Sequence, residues 1–436
     1  MRRVATLAAS AAAFALVLSS CSGGAATSNG SGASGSSGEG REYDNVGGPS
    51  VPFDATDEEW QAAFKDIDPV KIVWELSGSA TSPTGLTFQK LADRASVLSG
   101  GKVDIELAFS LSVSGALTSV DQALQDGRID IGMVTPYLES QEYPIAGTIA
   151  NDINIDFPTA QVAGPLIGLA AASETLWNTP EFIEENADAD LTVLSPYSSG
   201  PRSFLACREP VDSLDDLHGR QIRVAPITNR RQVEALDATP VSIQFTELYE
   251  SVQRGLVDCI IAGLSTIGGL PGLAELVPNV YAPEGTNWSG TVGYYVAGIN
   301  WTSYPLPVQQ LLYDLNAWAD VQSAKEQAQD TPPLILASVE KAGGSWGNLP
   351  ANASEKLAAF NKSLIETDWK ESKLFDGAGY VDRWDKAKET WTTEVEKLGI
   401  DFSEAKETEK WSTVKVGWDA YTKAYYDAVV IPNRPI

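Results

Sequence analysis

The residues able to carry chemistry are few. One histidine, His218, and three cysteines, Cys21, Cys207 and Cys259, occur in 436 residues. A single imidazole excludes a histidine-rich metal centre. Gly343-Gly344-Ser345-Trp346-Gly347 fits G-x-S-x-G. A nucleophile elbow, however, needs a histidine after the serine in chain order, and His218 precedes it. Asp152-x-Asn154-x-Asp156 opens like a calcium loop, but Phe157 replaces the obligatory glycine and Ala163 the closing glutamate. No Walker or dinucleotide glycine motif occurs. The expectation is a protein without enzymatic activity, metal or cofactor. Arginines remain, and a planar, permanently charged guanidinium is a bidentate partner for a carboxylate. Arg223, at the C-terminal end of a predicted strand, is placed where α/β folds bind ligands.

The elements around these residues follow two periods. Val70 to Leu76 reads as a strand, and the Ser/Gly/Thr-rich loop Ser77 to Thr84 follows it. Phe88, Leu91, Ala95 and Leu98 then share a helix face that Gly100-Gly101 stops. Val103 to Phe109 alternates as a strand; a short helix through Val120, Ala123 and Leu124 leads to a strand at Ile129 to Val134. A second block repeats the scheme, with strands at 221–225, 241–244 and 257–262 and helices at 231–236 and 247–254. Both blocks carry one phrase, Ala123-Leu124-Gln125-Asp126-Gly127-Arg128-Ile129-Asp130 and Ser251-Val252-Gln253-Arg254-Gly255-Leu256-Val257-Asp258. Two similar α/β lobes are expected. From Pro305 on the chain reads as helical. Trp384, Ala387, Trp391, Val395 and Leu398 fall on one face, and Trp411, Val414, Trp418, Tyr421 and Tyr425 on another. Such stripes are expected to bury against a sheet.

Acid dominates the composition, with 58 Asp+Glu against 31 Lys+Arg and a formal charge of −27. That balance excludes nucleic acid as a partner and a polybasic hold on a membrane. Arg2 and Arg3 precede the apolar run Val4 to Leu18, which is too short to span a bilayer comfortably and reads as an export signal. The run ends in Leu18-Ser19-Ser20-Cys21, which resembles a bacterial lipobox. Removing residues 1–20 takes away two arginines and no acid, so the charge moves from −27 to −29. Residues 22–40, mostly Gly and Ser, form a tether spanning on the order of 25 Å. With Cys21 acylated, Cys207 and Cys259 are either a disulfide or two small buried thiols.

Asp216-Leu217-His218-Gly219-Arg220-Gln221-Ile222-Arg223-Val224 resembles a "D-L-x-G-x-x-[IL]-R-V" segment of the solute receptors of tripartite ATP-independent periplasmic (TRAP) transporters, dicarboxylate-receptor type. Ala238-Thr239-Pro240-Val241 and Glu247 to Asp258 are similar to that family's next phrases. So are Ala123 to Ile131, Asn300-Trp301 and Leu306-Pro307-x-Gln309, in order and spacing, from about residue 70 to about 330. The resemblance implies a periplasmic-binding-protein type II fold: two α/β lobes around a cleft, with a helical C-terminal region. Its boundaries are expected as follows: a signal peptide, 1–20; the lipidated Cys and tether, 21–56; lobe 1, 57–200 plus about 288–330; lobe 2, 201–287 plus about 331–436. It implies a small organic acid as ligand, small and large integral membrane subunits as partners, and an extracytoplasmic, lipid-anchored location. A receptor of an ATP-binding-cassette transporter, or a sensor, shares the fold and is the alternative.

Arg223 aligns with the family's carboxylate-clamping arginine, and Arg202 falls where some members place a second. Two departures stand out. Cys259 replaces the family's glycine, and Ala262-Gly263 stands where a polar ligand contact is usual, so either the ligand is less polar there or a neighbour such as Ser265 or Thr266 replaces the contact. Trp288 and Tyr294 lie where the chain passes between lobes and either wall the cleft or pack in a core. Ser79, with Ser77 and Thr81, and Asp121 are candidate first-lobe contacts.

Overall fold

The computed structural model describes residues 40–199, 202–244, 247–400 and 416–436, all within one unit, Gly38–Ile436. The export signal, Cys21, the tether to residue 39, Trp411 and Val414 lie outside the described residues. The strands are β1 (Val70–Glu75), β2 (Val103–Ala108), β3 (Ile131–Val134), β4 (Thr192–Ser199), β5 (Ser203–Cys207) and β6 (Gln221–Val224). They continue with β7 (Thr239–Ser242), β8 (Cys259–Gly263), β9 (Asn279–Ala282), β10 (Val292–Ala297) and β11 (Ser345–Asn348).

Two sheets form, in the orders β2-β1-β3-β10-β4 and β11-β9-β5-β8-β6-β7. In each, three strands joined by helices run parallel, and an antiparallel strand lies beside the third of them, β10 against β3 and β5 against β8. The chain therefore crosses between lobes from β4 to β5 and again from β9 to β10. Each sheet takes its antiparallel strand from a segment that has just arrived from the other lobe. A third link is the helix Leu306–Lys325, which packs in the first core. It runs through a π turn into the helix Thr331–Lys341, whose Leu336 and Val339 pack in the second.

The repeated phrase has a physical cause. Gly127 (φ +67°) and Gly255 (φ +72°) end their helices in the left-handed conformation, which costs glycine least. The aspartate three residues later then does the same work in each lobe. Asp130 accepts from the Val73 amide at 2.7 Å, and Asp258 from the Gln221 amide at 2.8 Å. Both pin the incoming strand to its parallel neighbour.

Two boundaries differ from expectation. Residues 41–56, expected as tether, dock on the first lobe. Val51 is buried there, its amide donating to Gln310 at 2.8 Å, and the Arg41 guanidinium lies 4.7 Å over the Trp177 ring. This segment buries isolated side chains without periodicity, which a pattern search passes over. The C-terminal helices, expected in lobe 2, belong from Trp369 onward to the first core. The helix Gly377–Lys397 and the helix Trp418–Tyr425 lay their aromatic faces on Ala163–Trp177, a helix apolar nearly all round and hence buried. The polar tips of the rings fix that placement. Trp391 Nε1 donates to Glu174 at 2.7 Å, and the Tyr421 hydroxyl to the Leu166 carbonyl at 2.8 Å. The expected apolar faces are buried where they are described, but against a helix and not against a sheet.

Cys207 and Cys259 face each other across β5 and β8 and form a disulfide. It closes a loop of sequence separation 52 within the second lobe. Replacing both by Ala should lower stability by about 4 kcal/mol on the loop-entropy estimate, read by denaturant unfolding. Non-reducing peptide mapping should recover the two segments linked; two free thiols would contradict the bond.

Candidate functional site

β6 alternates strictly. Ile222 and Val224 point into the second-lobe core, so Arg223 must point to the other face. Arg223 is 8% exposed. Its Nε donates to the Ile243 carbonyl at 3.2 Å, and among the described residues no carboxylate pairs with it. Other arginines of this lobe are satisfied: Arg231 pairs with Asp368, Arg254 with Glu250, and Arg220 donates to the Glu209 and Pro210 carbonyls. Burial pulls the Arg223 pKa below its usual value. Tyr137, from the turn after β3, brings the first lobe to this charge. Burial pushes its phenol up to about 12, with Arg223 acting in the opposite sense. Arg223 is thus a desolvated cation at the interlobe surface, the condition under which an anion binds most strongly.

The other sequence candidates distribute differently. Arg202 gives Nη1 to the Thr159 carbonyl at 2.8 Å and Nη2 to the Pro283 carbonyl at 3.0 Å, over the Phe204 ring. It ties backbone of the first lobe to the second crossing. Tyr294 is in the first core, its hydroxyl donating to Asn186 at 2.9 Å and its ring edge-on to Phe182. It does not wall the cleft, because β10 is covered on both faces along its whole length. Trp288 packs in the second core and also lines a small recess. Arg202 and Ser203 from one crossing and Asn287 from the other meet there with Phe157 and Gln161 of the first lobe. Ser265 is exposed in the first turn after β8, and Ser79 is exposed with Oγ 3.4 Å from that of Thr81. Asp121 is buried and accepts from the Tyr143 hydroxyl at 3.0 Å. One of its carboxylate oxygens and one from each of Glu139 and Glu142 lie within 4.8 Å of one another. Burial, with these two charges adding, pushes Glu139 up to about 7.

Asp152, Thr228 and Asp368 take part in contacts between the lobes that the sequence reading misses. Asp152, at the end of the first-lobe helix Pro144–Asp152, accepts from Thr228 of the second-lobe helix Ile227–Ala235 at 2.5 Å. One turn on, Arg231 grips Asp368 through both Nη groups. Ser289, between them, donates to the Asn151 carbonyl at 2.5 Å and accepts at its own carbonyl from Asn229 at 2.9 Å. The signal in the sequence is the broken calcium loop, whose members serve three separate contacts. Asn154 accepts from the Tyr197 hydroxyl at 2.8 Å, and Asp156 from Trp384 Nε1 at 2.8 Å, beside Lys388. Ser345 donates to Asn279 at the β11 edge of its sheet, and β6, which follows His218, is four strand spacings away, about 19 Å. That pair cannot form a catalytic dyad.

The family model "Bacterial extracellular solute-binding protein, family 7" matches residues 76–372. Among curated relatives, the C4-dicarboxylate-binding protein DctB of Bacillus subtilis is 23% identical over 227 residues, 50% of this chain and 57% of that one. A solute-binding protein of Chromohalobacter salexigens is 34% identical over 82 residues, 18% of this chain and 23% of its own. The chain spans little more than half the length of the former and about a quarter of the latter. Solved structures share the fold. DctP7 of Bordetella pertussis, an extracytoplasmic solute receptor binding pyroglutamic acid, has a TM-score of 0.59 at 17% identity, covering 72% of this chain and 99% of that one. A marine metagenome TRAP solute-binding protein specific for aromatic acid ligands reaches 0.61 at 16% identity, covering 74% and 99%.

The interlobe seam should respond to pH. Burial, reinforced by the Asp368 charge, pushes Asp152 up to about 7 from the ordinary 3.8, against Thr228 and Arg231. Burial would also raise Asp368, but hydrogen bonds from Arg231 and Thr367 outweigh it and hold that carboxyl low. The assembled seam therefore holds a proton that a separated Asp152 releases. Stability falls as pH rises from 3.8 to about 7 and levels off above. Between about pH 5 and about pH 8 the melting temperature of the native protein should drop more than that of Asp152→Asn, by on the order of 2 °C. Equal slopes would remove Asp152 from the account.

Proposed function

Because the chain belongs to the bacterial extracellular solute-binding proteins of family 7, we propose that it is the solute receptor of a TRAP transporter, capturing a small organic acid anion between its lobes. The observation that carries this reading is Arg223, a buried guanidinium without a carboxylate partner among the described residues, on the interlobe face of β6. The ligand's carboxylate meets its planar fork, and the approach of Tyr137 removes water from the pair, which strengthens the attraction. The ligands named for structurally similar receptors, pyroglutamic acid and aromatic acids, are carboxylic acids and support the class. The loaded receptor delivers its anion to the small and large membrane subunits. Cys21, in Leu18-Ser19-Ser20-Cys21, carries the lipid that holds it at the outer face of the cell membrane.

Ligands are found by thermal shift with a panel of small carboxylates and measured by calorimetry. Arg223→Ala should weaken the best acid at least about thirtyfold, the equivalent of about 2 kcal/mol. Arg223→Lys should weaken it too, since an ammonium lacks the bidentate fork. The ligand-free Arg223→Ala protein should be no less stable than the native one, because an uncompensated buried charge is removed. Unchanged affinity in both variants would refute the clamp. Cys21→Ser should release the protein into the soluble extracytoplasmic fraction; retention at the membrane would argue against the lipid anchor.

A further inference from the structure

Asp320 is a buried acid that the anion clamp does not use. It lies on the helix Leu306–Lys325, just before the π turn that leads to the second lobe, and is 4% exposed. Its hydrogen bonds fall short of what a carboxylate accepts. Asn316 Nδ2 donates to it at a long 3.4 Å. The Ser195 hydroxyl stands between Asp320 and the Tyr197 carbonyl, which it reaches at 3.2 Å, and its one proton cannot serve both acceptors. A further acceptor beside them, Asn316 Oδ1, has no partner among the described residues.

No basic side chain among the described residues pairs with this carboxyl. The ionisable groups that sense Asp320 are the phenols of Tyr295 on β10 and of Tyr425 and Tyr426, and burial pushes each of them up, so they stay neutral. The acids on the flanking helices are engaged elsewhere, Asp314 with Arg434 and Glu174 with the Trp391 indole. An isolated ionised carboxylate is strongly unfavourable in the interior, so the site must take up a positive charge. Burial pushes the Asp320 carboxyl up to about 8. A proton therefore supplies the charge in acid and neutral solution and leaves in alkali.

A metal cation can take the proton's place. Asp320 and Ser323, one helix turn apart, line a pocket of about 20 Å³, room for one water-sized occupant, with Tyr197 and Ser198 of β4 in its wall. Ser323 Oγ accepts from Gln327 Nε2 at 3.1 Å and keeps a second lone pair. Carboxylate and hydroxyl oxygens suit a hard cation. One carboxylate balances one unit of charge, so a divalent ion would leave a buried excess. The occupant that fits is small and monovalent.

We propose that Asp320, flanked by Ser195 and Ser323, holds one sodium-sized monovalent cation between β4 and the helix Leu306–Lys325. Both elements are about to leave the first lobe there, so the ion ties two of the links between the lobes. Its entry releases the Asp320 proton, one charge replacing the other. The site depends neither on Arg223 nor on a bound acid.

The test uses the full chain without ligand. At about pH 9, sodium chloride in place of choline chloride at equal ionic strength should raise the melting temperature by on the order of 3 °C. At about pH 5, where the proton holds Asp320, the two salts should act alike. Sodium added to lightly buffered protein at about pH 8 should release protons, and choline should not. Asp320→Asn keeps the shape and removes the charge. It should abolish both sodium effects, and at about pH 9 it should melt no lower than the native protein in choline. Ser323→Ala keeps the charge and loses one oxygen, so half of the shift should need about fivefold more sodium. Equal melting temperatures of the native protein in the two salts at about pH 9 overturn the site and leave a proton alone on Asp320. A sodium effect that survives Asp320→Asn overturns it too. If Asp320→Asn does not fold, the salt comparison on the native protein and on Ser323→Ala decides, and an unchanged sodium requirement in Ser323→Ala counts against the site.

Discussion

Arg223 carries a permanent charge into a site where 8% of its surface remains exposed and no described carboxylate meets it. Burying an unpaired ion costs several kcal/mol after the protein relaxes. The rest of the second lobe bears that cost: β5, β8 and β6 are tied by backbone ladders, by the Cys207–Cys259 disulfide and by Asp258 at the mouth of β6. A rigid strand holds the guanidinium where solvent would otherwise relax it. The consequence is a local positive pocket in a protein of net charge −27, so attraction is confined to the cleft while the outer surface repels anions.

The topology explains how one charge is shared between two lobes. Both crossings, and the turn that follows residue 325, converge beside the recess, so side chains of both cores meet there. Arg202 on the first crossing, and Asn287 and Ser289 on the second, each reach groups of the first lobe. The contact between Asp152 and Thr228 adds a protonatable joint to that seam. Ligand, proton and lobe contact are therefore parts of one equilibrium, since anything that binds the assembled form alone also stabilises it.

Much of this was legible from residue order. The Gly127 and Gly255 phrases mark equivalent helix ends because the same φ > 0 cap and the same aspartate–amide bond are needed twice. The placement of Arg223 near the C-terminal end of a strand was legible from its apolar neighbours Ile222 and Val224. Partner choice was not. Nothing in the spacing of Trp384 and Trp391 says which element they cover, and the indole contacts to Asp156 and Glu174 that settle it come from more than two hundred residues away. Tyr294 stayed open for the same reason, since a tyrosine on a strand between lobes looks alike whether its hydroxyl meets a ligand or, as here, Asn186. Gln161 and Asn287 carry no local pattern at all, because their environment is made by the crossings.

The central claim is that an anion completes Arg223. The most direct measurement is the crystal structure of the protein with the small molecule that co-purifies with it, identified by mass spectrometry of the same preparation. The account predicts an organic acid between the lobes with one carboxylate on both Nη groups of Arg223. A bound molecule without an acid group, or an acid seated away from Arg223, would contradict it.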